Sequence, residues 1–191
     1  MNGNGPVVDT WFDGSKRPSN LDTVSFVIGG THLLHEFFGR TGEMRSGGQL
    51  IIVTPFIESN VIAEIDFLGS DRVREFDLLL ITTPRTARSA AANGLASLKW
   101  RSREIRALRD LHAKLYAVVP VKDVRMAVIG SHNLTAPGVG KNAEMGILIS
   151  GSTLEGQLAF DALVENVSHL RRKSSLVHDS FNWPPTLGSA A

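Results

Sequence analysis

The sequence has no cysteine among its 191 residues, and this absence excludes several kinds of site at once. Disulfide bonds, thiolate nucleophiles and cysteine-ligated zinc ions are all ruled out. A chain without cysteine suits a reducing compartment, so we expect a cytoplasmic protein. The histidines closest together, His32 and His35, are followed by Glu36, which is not the His-Glu-x-x-His order of zinc hydrolases. We therefore predict no metal site.

Long apolar runs and a strong net charge are also missing. No stretch of about 18 apolar residues occurs, so neither a membrane-spanning segment nor a membrane partner is predicted. Residues 1–19 are polar and contain several glycines, and they lack the apolar core of a signal peptide. The formal net charge is only +1, so the chain as a whole does not indicate a nucleic-acid binder. Any electropositive surface must be local.

The apolar segments that are present alternate in type along the first half of the chain. Helical patterns are predicted at 31–40, 58–68 and 84–96, the last of them broken near Gly94. Short apolar runs between these helices predict buried strands at 49–54 and 76–82. Further strands are predicted at 98–105, 112–119, 124–129 and 144–149. An amphipathic helix follows at 156–172, with its inner face formed by Leu158, Leu163, Val167 and Leu170.

This order of elements predicts one α/β domain. Strands that first alternate with helices and then follow one another indicate a mixed, mostly parallel β-sheet with helices on both faces. We expect residues 21–173 to form this domain and residues 1–20 to be irregular. Residues 174–191 contain Pro184, Pro185 and Gly188, and they are predicted to form an extended tail.

The residues suited to chemistry lie at the ends of three successive predicted strands. His112 and Lys114 are two apart on one strand, so their side chains are expected on the same face. The next strand ends in the sequence Gly-Ser-His-Asn at 130–133, and Glu144 opens the strand after that. If the three strands are neighbours, an imidazole, an ammonium, a hydroxyl, an amide and a carboxylate converge. Such a set predicts a phosphate-binding site that contains a nucleophile.

In order and spacing, this segment resembles the HKD motif of the phospholipase D superfamily, His-x-Lys-x4-Asp-x6-Gly-Ser-x-Asn with a downstream Asn-x-Glu. The matching residues are His112, Lys114, Asp123, Gly130, Ser131, Asn133, Asn142 and Glu144. One departure lies in the spacing, since eight residues instead of four separate Lys114 from Asp123, and Val119 stands at the nominal aspartate position. The added residues surround 120–122, a predicted hairpin turn, and their even number keeps the strand faces. The resemblance gives Asp123 and Gly130 structural roles.

The resemblance implies a phospholipase D-like fold and cleavage of phosphodiester bonds without a metal ion or other cofactor. His112 is implied as the nucleophile that forms a phosphohistidine. Lys114 and Asn133 are implied to hold the non-bridging oxygens, Ser131 to add a hydrogen bond, and Glu144 to orient an imidazole. A second histidine must protonate the leaving group, and the chain has one motif. The resemblance therefore implies a homodimer with a shared active site.

A nuclease acting on DNA or RNA is the favoured activity. The pattern Gly-Ser-x-Asn-x-Thr, which ends at Thr135, resembles the nuclease branch of the superfamily. A basic run lies directly before His112, formed by Lys99, Arg101, Arg103, Arg106 and Arg109, and its charges predict contacts to a phosphate backbone. The candidate substrate-binding residues are Lys99, Arg101, Arg103, His132 and Thr135.

Two other activities stay open. One is a phospholipase D or phosphatidyl transferase acting on lipid, which is disfavoured because no amphipathic interfacial element is visible. The other is a non-catalytic phosphate-binding subunit of a larger defence or nucleic-acid-processing complex, which only the lengthened hairpin favours. No recognition motif is visible, so a recognition or helicase protein stays open as a partner. A role in phage defence rests on analogy alone.

Overall fold

This computed structural model describes residues 8–11, 26–30, 32–141 and 143–179 of the chain. The strands in these ranges form one mixed β-sheet. The strands are β1 Val8–Trp11, β2 Phe26–Gly29, β3 Gly48–Val53, β4 Phe76–Thr82, β5 Ser102–Ala107, β6 Leu115–Pro120, β7 Met126–Gly130, β8 Gly146–Ser150 and β9 Ser175–Asp179. The helices are α1 Leu33–Glu43, α2 Ser59–Glu64, α3 Asp66–Gly69, α4 Pro84–Ala87, α5 Ala90–Ser97 and α6 Leu154–Lys173. Across the sheet the order is β1-β2-β8-β7-β6-β3-β4-β5-β9. None of the helices in these ranges is long and apolar enough to span a bilayer.

The mixed sheet is confirmed, but the expectation that it is mostly parallel is wrong. Three pairings are parallel, β1–β2, β3–β4 and β4–β5. The other five are antiparallel. Helices connect β3 to β4 and β4 to β5, and these crossovers allow parallel pairing. Residues 121–125, which join β6 to β7, form a hairpin too short for a crossover, so these strands must pair antiparallel.

Helices cover both faces of the sheet, as predicted. Because side chains alternate along a strand, Leu50 and Ile52 of β3 face the cluster built by α1, α2, α3 and α5, whereas Ile51 and Val53 face α6. Helix α6 contributes Phe160 and Val167 to its side of the core. The prediction of Leu158 on the inner face of this helix is wrong, since its side chain is 61% exposed.

Most element boundaries differ from the prediction by a few residues, and three differences change where an element begins or divide it in two. The helical pattern at 84–96 breaks before Gly94, because Ser89 accepts a hydrogen bond from Ala92 N at 3.2 Å and starts α5 as a new helix. The pattern at 58–68 is divided into α2 and α3 at Ile65, whose backbone is extended. Strand β6 begins at Leu115 and not at His112.

Both predicted terminal segments carry an edge strand. Strand β1 pairs with β2 and lies inside the segment expected to be irregular. Strand β9 pairs with β5 and adds part of the predicted tail to the sheet. Short edge strands whose partners are distant in the sequence give little local signal. The other residues of 1–20 and 180–191 lie outside the described residues.

One edge of the sheet collects the ends that matter for function. Register pairs the last residues of β3, β4 and β5 with the first residues of β6 and β9, and it pairs the end of β7 with the start of β8. We call this line of strand ends the site edge. Its strand ends are Val53, Thr82, Ala107, Leu115, Gly130, Gly146 and Ser175. We call the line formed by the opposite ends of the strands the far edge.

Candidate active site

His112 and Lys114 lie in an irregular segment that leads into β6 at the site edge. The chain leaves β5 through Asp110, whose φ of 55° is in the left-handed region, and the buried Leu111 then anchors it. His112 is exposed, and Lys114 Nζ donates a hydrogen bond to the carbonyl oxygen of His112 at 2.9 Å. Strand alternation therefore does not place these two side chains on one face, because both residues precede the strand.

Gly130 joins this segment to the end of β7. Its N–H donates to the carbonyl oxygen of Lys114 at 3.3 Å, so the two candidate segments are adjacent. A Cβ at position 130 would lie 2.5 Å from Met145 O and 2.7 Å from Gly146 Cα, both of them backbone atoms. This close approach of β7 and β8 leaves room only for glycine, which is consistent with the structural role expected of Gly130.

Ser131 connects the end of β7 to the residues before β8. Its N–H donates to Met145 O at 3.0 Å, and its Oγ accepts from Met145 N at 3.1 Å. The same hydroxyl donates to Glu144 Oε2. Ser131 and Glu144, predicted to lie close together, are thus in direct contact. Asn142 lies outside the described residues.

Glu144 also lies close enough to Tyr116 to act on it electrostatically. Burial chiefly, and the Glu144 charge in addition, raise the pKa of the Tyr116 phenol, against the effect of a hydrogen bond with Thr54. Tyr116 is fully buried, and its hydroxyl donates to His132 O at 3.1 Å. This tyrosine therefore supports the loop at 131–133 from inside the core. It was missed in the sequence because nothing distinguishes a supporting tyrosine from a core aromatic.

His132 is not a substrate-binding residue, contrary to the sequence-based expectation, because its side chain is fully buried. Its Nε2 lies 3.0 Å from Gly30 O, so this nitrogen carries the proton and donates. Nδ1 has no partner among the described residues. Gly130 and Gly146 both approach the ring closely. The histidine thus ties the loop to the chain that leads into α1.

Asn133 presents a polar group at the same end of the sheet. Its Oδ1 is buried and has no hydrogen-bond partner within the described ranges. A buried acceptor without a partner costs free energy, so a donor from a bound group or water is expected to meet this oxygen, while the Nδ2 donors of the same amide suit an anion. Thr135 Oγ1 accepts a hydrogen bond from Gly138 N at 3.3 Å, which closes the following turn.

Lys99, Arg101 and Arg103 lie at the far edge, so the structure does not bring them together with His112. Arg103 donates to Ala96 O at 2.7 Å. Arg101 pairs with Asp77 at the start of β4, and this hydrogen bond raises the pKa of its guanidinium. The run is near His112 in the sequence, but β5 carries the chain across the whole sheet between them.

Asp123 also lies at the far edge, in the lengthened hairpin. It accepts hydrogen bonds from Ser46 N at 3.0 Å and Ser46 Oγ at 2.8 Å, and these bonds, the hydroxyl first, lower the pKa of its carboxyl group. The contact ties the hairpin to the segment before β3. It is consistent with the structural role expected of Asp123.

An apolar cleft borders the candidate site on its other side. Its volume is about 450 Å³, and it lies at the site-edge ends of β2, β7 and β8. Met145 is 66% exposed there and Ile147 36%. The cleft is completed by Ile28, Ile129, Gly130 and Gly146.

Comparison with known proteins identifies the fold. No family model and no curated protein matches the chain. Nuc from Salmonella typhimurium, described as a phospholipase D family member, matches with a TM-score of 0.52 and 14% identity, over 81% of this chain and 98% of that chain. NucT from Helicobacter pylori matches with a TM-score of 0.54 and 11% identity, over 80% and 99%. This chain has the fold of the phospholipase D superfamily.

Proposed function

We propose that the protein is a phosphodiesterase that needs no metal ion and cleaves nucleic acid through a phosphohistidine. The observation that carries the proposal is that the three chain segments carrying the candidate catalytic residues, 112–114, 130–133 and 144–145, are hydrogen-bonded to one another at one edge of the sheet although 32 positions separate His112 from Glu144. The fold shared with Nuc, a phospholipase D family member, supports phosphodiester chemistry. Lipid phosphodiesters are the competing substrate class.

The reaction follows from the chemistry of these groups. An imidazole nitrogen of His112 attacks phosphorus in line, and a phosphorus–nitrogen bond forms as the bond to the leaving oxygen breaks. A second imidazole gives its proton to that oxygen. Water then attacks phosphorus with the second imidazole as base, and His112 is released. The Lys114 ammonium and the Asn133 amide stabilise the charge on the non-bridging oxygens.

Glu144 serves this reaction through its neighbours. Its carboxylate is hydrogen-bonded to the Ser131 hydroxyl, which fixes it beside the loop. From this position we propose that it orients an imidazole, as carboxylates do in other sites built around histidine.

The second imidazole is proposed to be His112 of a second copy of the chain. Within the chain, His132 is buried and hydrogen-bonded, and none of the other histidines belongs to a second copy of the motif. A two-fold dimer that joins the apolar clefts of two copies would cover Met145 and Ile147 and place both sites near the axis.

One assay with four substrates tests the proposal. Purified protein in EDTA is incubated with labelled single-stranded DNA, duplex DNA, RNA and phospholipid vesicles. The proposal expects at least one nucleic acid to be cleaved, with the activity lost in His112→Ala. Cleavage of phospholipid alone would move the substrate class to lipid. Activity that requires added magnesium would contradict the mechanism.

A further inference from the structure

Among the side chains that the structure describes, the exposed cations of the site edge lie on one side only. From β4 towards β9, the edge has five exposed basic side chains: Arg85, Arg88, Arg109, Arg172 and Lys173. None of the five takes part in an ion pair or a side-chain hydrogen bond with another residue of the described ranges. On the other side of His112, towards β2, the edge is formed by the apolar cleft.

The register of the sheet orders these cations in a row along the site edge, with Arg85 and Arg88 on the face that α5 covers and Arg172 and Lys173 on the face that α6 covers. Arg85 and Arg88 follow the end of β4, and Arg109 follows the end of β5. Arg172 and Lys173 end α6 directly before Ser175, which pairs with Ala107. The row therefore extends outward from His112 along the strand order β6-β3-β4-β5-β9.

The length of the row fits a polynucleotide strand. Four strand spacings of about 4.8 Å each separate β6 from β9, roughly 19 Å in all. A nucleic-acid strand that is stacked as in a duplex carries one phosphate per about 3.4 Å of helix axis, so the row would span roughly six nucleotides of such a strand. A single phosphate headgroup needs no such length.

Nearby acidic groups do not cancel this charge. Glu104 is nearly buried and is bound by Arg106 and Arg171, so these three groups are engaged with one another. Glu58 accepts a hydrogen bond from Ala136 N at 2.8 Å. Glu58 is exposed, as is Asp110 beside Arg109, so two exposed carboxylates stand against five cations along the row.

We propose that this row binds the phosphate backbone of the nucleic-acid strand that leads away from the scissile phosphate at His112. The proposal rests on the proposed function and adds the path of the substrate. It replaces the far-edge residues Lys99, Arg101 and Arg103 as the candidate backbone contacts. Because backbone contacts carry no sequence information, this binding is expected to be independent of sequence.

The test compares two double variants that remove the same charge from opposite edges. All proteins carry His112→Ala, so binding is measured without cleavage. The row variant is Arg85→Gln with Arg109→Gln, and the control is Arg45→Gln with Lys122→Gln, two exposed cations at the far edge. Affinity for a fluorescent 12-nucleotide single strand is measured from 50 to 200 mM salt.

The row variant should bind about tenfold more weakly than the parent at 50 mM salt, and its salt slope should fall by roughly 0.7 for each lost contact. The control should keep the affinity and the slope. A further double variant, Arg172→Gln with Lys173→Gln, should weaken binding of the 12-nucleotide strand but not of a 3-nucleotide strand, which is too short to reach β9.

Equal losses in the row variant and the far-edge control would overturn the proposal, and so would competition by anionic vesicles but not by nucleic acid. These outcomes are separate from the fate of the proposed function. If wild-type protein cleaves nucleic acid while the row variant and the far-edge control bind it equally, only the proposal about the row is wrong. If it cleaves none, the function is wrong, whatever the binding shows.

Discussion

Ser131 Oγ donates a hydrogen bond to Glu144 Oε2 across thirteen positions of the sequence. The same hydroxyl accepts from Met145 N, so one serine holds the two chain segments that flank the end of the sheet. The two residues therefore act as one unit, in which the serine sets the position of the carboxylate.

Coupling between these residues should be measurable. Ser131→Ala should slow single-turnover cleavage about tenfold, because a hydrogen bond to a charged group is lost. Glu144→Gln should cost more, since the charge goes as well. In a double-mutant cycle the two losses should not add. Additive losses would show that Ser131 acts independently of Glu144.

The charge-stabilising residues should affect the rate more than the stability. Lys114→Ala and Asn133→Ala should each lower the single-turnover rate by on the order of 10² to 10³, the usual cost of losing one oxyanion donor. Both residues lie at the surface end of the sheet, so circular dichroism should show folded protein. Folded variants with wild-type rates would contradict their roles.

The ion cluster at Glu104 predicts how stability depends on pH. Burial acts to raise the pKa of Glu104, but hydrogen bonds from Arg171 and Arg106 outweigh it and hold the pKa below its ordinary value. The stabilisation is therefore present above the unfolded pKa and is lost as pH falls through the folded pKa. Glu104→Gln should lower the unfolding free energy at pH 7 by on the order of 2 kcal/mol.

Urea unfolding at pH 7 and pH 3 checks this prediction. The difference between wild type and Glu104→Gln should shrink at pH 3, which lies below the unfolded pKa, because the stabilisation declines as the pH falls towards the folded pKa. Asp161→Asn is the control, because the Asp161 pair with Arg125 is exposed and should contribute less than about 1 kcal/mol. A Glu104 difference that is equal at both pH values would contradict the assignment.

The proposed dimer depends on the apolar cleft. Met145→Glu should produce monomers in sedimentation and lower turnover by roughly 10² to 10⁴, the contribution of a general acid. Leu158→Glu is the matched control, because this exposed apolar residue lies on α6. After subunit exchange with His112→Ala, activity should follow the square of the wild-type fraction. A linear dependence would place the whole reaction in one chain.

Much of the sheet could be predicted because its central strands are continuous apolar runs. Strand β4 has the predicted bounds, and β3 differs by one residue at each end. The convergence of His112, Ser131 and Glu144 followed from their places at the ends of strands that proved to be neighbours. Edge strands and the parallel or antiparallel sense were missed, because both depend on long-range pairing.

The basic residues show the limit of reasoning from sequence distance. Arg103 is nine positions from His112, but six residues of strand lead from one sheet edge to the other, so they lie apart. Arg85 is 27 positions away and lies on the site edge, because it follows the end of a parallel strand. Separation along the sequence therefore does not give separation in space, which depends on the order and direction of the strands.

The most direct test of the central claim is whether phosphorus becomes attached to His112. An oligonucleotide with an internal ³²P label is mixed with excess protein in EDTA, quenched in alkaline detergent and separated on a denaturing gel. Wild-type protein should carry a label that is stable to alkali and labile to acid, mass spectrometry should place it on His112, and His112→Ala should carry none. Cleavage without a labelled chain, or a label on another residue, would contradict the account.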